Sequence, residues 1–104
     1  MRKLEWSPDA LEDLDVIWSY IAEDNVERAS SFVEELQAQA RKLVDDPWTG
    51  VIIPELNEEE YREKYYKGYT IVYEVRSDAV RVHEVYNQNR IFIRSYLSLI
   101  HISE

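Results

Sequence analysis

The residues best equipped for chemistry lie between Tyr61 and Arg90. The cations Arg62, Lys64, Lys67, Arg81 and Arg90 are interleaved there with Tyr65, Tyr66, Tyr69, Tyr73 and Tyr86. Guanidinium groups can clamp a phosphate through paired hydrogen bonds, and tyrosines can stack on bases. The same residue types are ordinary on a sheet surface that pairs with nearby glutamates, so composition alone leaves both readings open. Nothing else in the chain competes for a chemical role. There is no P-loop, dinucleotide fingerprint, nucleophile elbow or metal-ligand cluster, so neither a metal nor a cofactor is expected. His83 sits on an expected strand and reads as structural, and the second histidine, His101, lies near the end of the chain. The carboxylates spread along the first half read as a solvated helical surface rather than an acid–base pair.

Three strands must position the cationic set. Tyr61–Tyr66 alternates aromatic and charged residues, which suits a strand with one buried face. Lys67-Gly68 supplies a turn, with a glycine free to take positive φ. Tyr69–Val75 is β-branched and aromatic, and places residues 69, 71, 73 and 75 on one side. Arg76-Ser77-Asp78 makes the next turn, and 79–86 is the third strand. Everything upstream is expected to cover one face of this meander, and any chemistry to sit on the other.

The upstream half supplies that cover. Arg2–Trp6 is a short strand candidate. Ser7-Pro8 then reads as an N-cap followed by proline at the first helical position. Leu11, Leu14, Ile17, Trp18 and Ile21 recur at helical spacing over 8–23. Asn25 can cap a second helix, whose stripe is Ala29, Phe32, Val33, Leu36, Ala40, Leu43 and Val44, and Pro47 ends it. So short a break makes an antiparallel hairpin. Leu14, Trp18, Ile21, Phe32, Val33, Leu36 and Leu43 are expected to pack with Ile71, Tyr73, Val80 and Val82 in one core. Residues 48–60 read as a connecting loop anchored by Trp48, Ile52 and Leu56. The fold class is therefore α+β: a short N-terminal strand, an antiparallel helical hairpin and a three-stranded antiparallel meander.

At 104 residues the chain is expected to be a single domain, spanning 1–97, with a core that needs no staples. It has no cysteine, no apolar run long enough to span a membrane and no signal peptide, so a cytoplasmic location and no membrane partner are expected. The net charge of −9 is unevenly placed, with −11 on residues 1–60 and +2 on 61–104. The acidic half opposes nucleic acid as a whole, while the strands can still present a local basic patch. Residues 91–97 read as a short terminal helix. Residues 98–104 resemble translated adapter read-through, and are expected to be either non-native or an apolar tail docked on the sheet.

The order of these pieces resembles the RelE/ParE superfamily of type II toxin–antitoxin toxins. The resemblance runs from Lys3 to Arg90, and is carried by Glu5-Trp6-Ser7-Pro8-Asp9-Ala10, Arg62, Tyr69–Val75, and Val80-x-Val82-x-x-Val85 leading to Arg90. It implies a compact toxin encoded beside an antitoxin that folds over it. Members of the superfamily either cut mRNA on the ribosome or, in the ParE-like branch, inhibit DNA gyrase. By position, the resemblance implies target-binding roles for Arg62, Tyr73, Asn87 and Arg90. On the ribonuclease alternative the catalytic set is Arg62, Lys64, Arg81, Tyr86 and Arg90. Asn87 stands where many members have histidine, and asparagine cannot exchange a proton near pH 7. The net acidity also opposes wedging into ribosomal RNA. Together with the long helical hairpin, these features rank a ParE-like toxin first, a ribosome-dependent endoribonuclease second and a non-toxic binding module third. Sequence-specific nucleic-acid binding by the toxin alone is not expected.

Overall fold

A computed structural model describes residues 2–88. The first strand, β1 (Lys3–Trp6), leads into helix α1 (Pro8–Ala22) and then α2 (Val26–Asp45). A single 3-10 turn (Pro47–Thr49) precedes a two-residue strand, β2 (Val51–Ile52). The meander follows as β3 (Tyr61–Tyr66), β4 (Tyr69–Val75) and β5 (Ala79–Asn87). All five strands form one sheet in the order β1-β5-β4-β3-β2, with β1 parallel to β5 and the other pairs antiparallel. The α+β reading holds. The sheet is wider than the meander alone, because β1 and β2 extend it at its two edges.

Local chemistry explains the elements. Ser7 Oγ accepts from Ala10 N at the start of α1, and Asn25 Oδ1 accepts from Arg28 N at the start of α2, each satisfying an amide that the helix leaves open. Lys67 and Gly68 have φ of 45° and 85°, the pair of positive values that matches the twist of a two-residue hairpin turn.

The helices cover one face of the sheet. Leu14, Ile17, Phe32, Leu36 and Leu43 pack there with Ile71, Tyr73, Val80, Val82 and Val85, while Ile21 and Val33 are half-buried at the margin. Trp18 departs from the expected core. It lies on the flank of α1, 37% exposed, and its indole N–H donates to Ser30 Oγ at 3.1 Å. The loop anchors also differ. Trp48 and Ile52 are exposed, whereas Ile53 is fully buried against Tyr61 and Val72 on the opposite face, with Leu56 packed beside it. The short pairing of Val51 and Ile52 with Glu63 and Arg62 turns Ile53 inward in place of Ile52.

The ladder between β4 and β5 shifts register between Val72 and Tyr73. Tyr73 faces Val82 and Val72 faces Glu84, so His83 is the extra residue of a β-bulge. This resets the alternation and lets Val80, Val82 and Val85 all reach the helix side. Since Leu36 is fully buried at the centre of that cluster, Leu36→Ala should cost about 2–5 kcal/mol in denaturant unfolding. A loss below about 0.5 kcal/mol would mean that the stripe faces elsewhere.

Candidate functional site

The expected site residues do not all meet. Alternation along β3 puts Arg62, Lys64 and Tyr66 on the helix side, and register places Arg62 beside Tyr73 and Lys64 beside Ile71. Asn87 pairs with Tyr69 and shares that side by alternation. Arg81 and Tyr86 lie on the opposite face, where they neighbour Glu74 and Thr70. Arg90, the expected helix over 91–97 and the tail over 98–104 lie outside the described residues. A sheet separates the two sets, so Arg62 and Lys64 cannot close on the same phosphate as Arg81 and Tyr86. Arg62, Lys64, Tyr73 and Asn87 thus lie on the helix side, and not on the open face where chemistry was expected.

Arg62 has a structural duty. Its guanidinium donates to the carbonyls of Glu59 (2.9 Å), Trp48 (3.1 Å) and Gly50 (2.9 Å), and lies 5.0 Å from the centre of the Trp48 ring. Tyr73 completes the clamp from inside the core. Its hydroxyl donates to Pro47 O at 2.7 Å and accepts from Gly50 N at 3.0 Å, and burial pushes the phenol pKa up. Tyr73, expected among the target-binding residues, has no exposed surface here. Gly50 is required by the close approach, since a Cβ there would meet the Tyr73 hydroxyl and stand 2.7 Å from the Glu63 carbonyl. Together Arg62 and Tyr73 hold the 47–52 turn in place and leave Trp48 exposed on its outside.

The opposite face is polar and acidic. Glu63 and Glu84 are both buried there, on either side of Val72. Glu63 accepts from the hydroxyls of Tyr65 (3.1 Å) and Tyr86 (3.2 Å). Arg81 lies 3.6 Å from Glu5, which also faces Arg76 at 3.7 Å. Glu74 pairs with Arg76 at 3.2 Å and with His83 Nε2 at 2.9 Å. The His83 hydrogen bond is the largest cause holding the Glu74 carboxyl below its ordinary range, against a smaller opposing effect of burial. His83 thus sits on its expected strand with its ring held against Glu74. Among the described residues no group of three or more His, Cys, Asp or Glu could hold a metal ion, and no helix is long and apolar enough to cross a membrane.

Near the β3–β4 turn, Glu35 of α2 gathers three donors. It accepts from the Tyr66 hydroxyl (2.6 Å) and pairs with Lys67 (3.0 Å) and Arg28 (2.9 Å). These bonds, with Tyr66 foremost, hold its pKa at about 2.

A family model for the ParE toxin of type II toxin–antitoxin systems, parDE, matches residues 4–92. The chain belongs to this family. Solved structures agree on the fold. The chromosomal ParDE TA system from P. aeruginosa is 20% identical with a TM-score of 0.70, over 84% of this chain and 96% of that one. The E. coli DinJ–YafQ toxin–antitoxin complex is 11% identical with a TM-score of 0.61, over 88% and 97%. A YafQ mutant from E. coli gives 11% and 0.57, over 86% and 96%. No curated protein matches. The resemblance seen in the motifs is thereby borne out, and this ParE-family chain spans nearly the full length of its structural neighbours.

Two outcomes follow from these contacts. Tyr73→Phe should lower stability by about 1–3 kcal/mol in denaturant unfolding, because it strips partners from the buried Gly50 amide and the Pro47 carbonyl. In a carboxylate titration followed by NMR, Glu35 should titrate near 2, and Tyr66→Phe should raise that value. A depressed carboxyl stabilises the fold above its ordinary pKa of 4.5, and that contribution disappears as pH falls from there through about 2. Because the Glu35 side chain is partly open to solvent, screening keeps this contribution small.

Proposed function

We propose that the chain is a ParE-like toxin that inhibits DNA gyrase in the bacterial cytoplasm and is neutralised by a cognate antitoxin. The observation that carries the choice is the division of the cationic set. Cleaving RNA requires a proton acceptor, a proton donor and positive charge converging on one phosphate. Here Arg62 is committed to three carbonyls, Arg81 faces Glu5 from the other side of the sheet, and Tyr86 donates to the buried Glu63. Asn87 cannot act as an acid or base near pH 7, and a net charge of −9 works against docking into ribosomal RNA. Family membership supports the toxin role. The DinJ–YafQ neighbour, a toxin–antitoxin complex, supports a protein antitoxin as partner.

On this reading Asn87, at the end of the meander, and Arg90 contact the target, and Arg62 acts by holding Trp48 and its turn in place. Expressed without an antitoxin, the protein should block DNA replication and trigger a DNA-damage response while bulk mRNA stays intact. Purified protein should inhibit supercoiling by gyrase, and Arg62→Ala or Arg90→Ala should weaken that inhibition. Codon-positioned mRNA cleavage on programmed ribosomes, with gyrase unaffected, would overturn the proposal in favour of the ribonuclease alternative.

A further inference from the structure

The face of the sheet opposite the helices holds charge that the protein has taken out of water. Glu63 and Glu84 flank Val72 in one row across β3, β4 and β5, and they are 5% and 3% exposed. Thr70 and Val72 beside them are buried as well. Ile53 and Leu56 cover part of this face, packed with Tyr61, Val72 and Tyr86. Glu63 accepts from two neutral hydroxyls, those of Tyr65 and Tyr86. Two carboxylates buried in one row call for positive charge as well as hydrogen bonds. The demand is sharpened by the loop that lays Leu56 on this face, since it also carries Glu55, Glu58, Glu59 and Glu60.

We propose that residues 91–97 of the chain's own C-terminal segment dock on this face, with Arg94 set between Glu84 and Glu63. The inference goes beyond the toxin reading and does not depend on the target. Gln88 N donates to Gly68 O at 2.9 Å, so the described chain ends beside the β3–β4 turn. From there the carboxylate row lies four residues back along β5, about 13 Å. A bend at 89–90 followed by one turn of helix returns the chain about 6 Å by Arg94, and the long arginine side chain spans the rest. The spacing suits a helix lying flat. Ile91, Arg94 and Leu97, three apart, share one side of it, which sets the cation between two apolar contacts for Tyr86 and Leu56. Arg94 lies past residue 92, where the family match ends, and Arg90, at the bend, is left to the target. Charge decides among the occupants. Residues 89–97 carry Arg90 and Arg94 and no carboxylate. The open face of a second copy would bring the same acidic groups, and nucleic acid or an anionic membrane would be repelled.

The chain has no cysteine, so Ser95→Cys gives the full-length protein a single attachment point for a nitroxide label. In amide NMR spectra the label should broaden Glu63, Tyr65, Thr70, Val72, Glu84 and Tyr86 most, and Leu36 and Ala40 of α2 least, because the helices lie across the sheet. Labelled protein mixed with unlabelled, isotope-enriched protein should give no such broadening. Its appearance in the mixture would assign the segment to a second copy and overturn the proposal. A double-mutant cycle tests the ion pair. Arg94→Ala should lower the folding equilibrium constant at least about tenfold in denaturant unfolding, and less than about threefold when Glu84→Gln is already present, while Arg94→Lys recovers part of the loss. Where Glu84→Gln does not fold, Glu63→Gln takes its place in the cycle, and the labelling needs neither carboxylate variant. Unchanged strand amides, broadening centred on α1 and α2, or equal effects of Arg94→Ala in both backgrounds would each overturn the proposal.

Discussion

Where β1 stops at Trp6, the neighbouring edge of β5 still carries backbone groups that need partners, and a buried amide or carbonyl left without one is costly. Side chains and backbone around the start of α1 meet that need. Ser7 N donates to Val82 O, Ser7 Oγ donates to His83 O, and Asp13 Oδ2 accepts from Val85 N. Ser7 also caps the helix, so one residue ends the strand, begins the helix and fixes that helix to the bulge. With α1 held there, Leu14 and Ile17 land on the valines of β5, and α2 follows by the short turn at Asp24-Asn25. The position of the whole helical layer therefore depends on satisfying a few backbone groups beside His83.

The same satisfaction rule divides what could be read from the sequence from what could not. Both helices and all three meander strands were legible because each is written in a periodic pattern with local punctuation: Ser7-Pro8, Asn25, Pro47 and Lys67-Gly68. The bulge was legible too, had its spacing been read physically. Val80-x-Val82-x-x-Val85 breaks strict alternation by one residue, which is how a bulge appears in sequence. The short β2 strand was not legible, since two residues carry no period and their pairing depends on Arg62 and Glu63 far along the chain. For the same reason Ile53, and not Ile52, proved to be the inward residue.

The site was less legible than the fold. Residue type suggests what a side chain can bind, whereas its occupation by the protein's own backbone is a tertiary fact. Arg62 looked like a phosphate ligand and is a clamp on three carbonyls. Tyr73 looked like a contact residue and is the buried pin of the same clamp. Arg81 kept an accessible position but faces Glu5. The period-two rule grouped Arg62 with Lys64 correctly, yet it could not say which face they share until the helices were placed. The uneven charge, by contrast, was plain from the sequence.

The parallel pairing of β1 with β5 has a consequence for how the chain comes into being. Lys3 pairs with Ala79, and Trp6 with Val82, so the first strand made finds its place only after almost the last has been made. Contacts so distant in sequence must bear the entropy of closing a long loop, and they form late in folding. The β3–β4 hairpin, with its two-residue turn, can form early and alone, whereas the helical layer has no complete sheet to rest on until β5 exists. During synthesis on the ribosome, the apolar faces of α1 and α2 therefore wait for their cover. That interval of nascent-chain exposure is written into the element order, and moving β1 to the end of the chain by circular permutation would shorten the β1–β5 loop without removing the wait, because α1 and α2 would still precede β5.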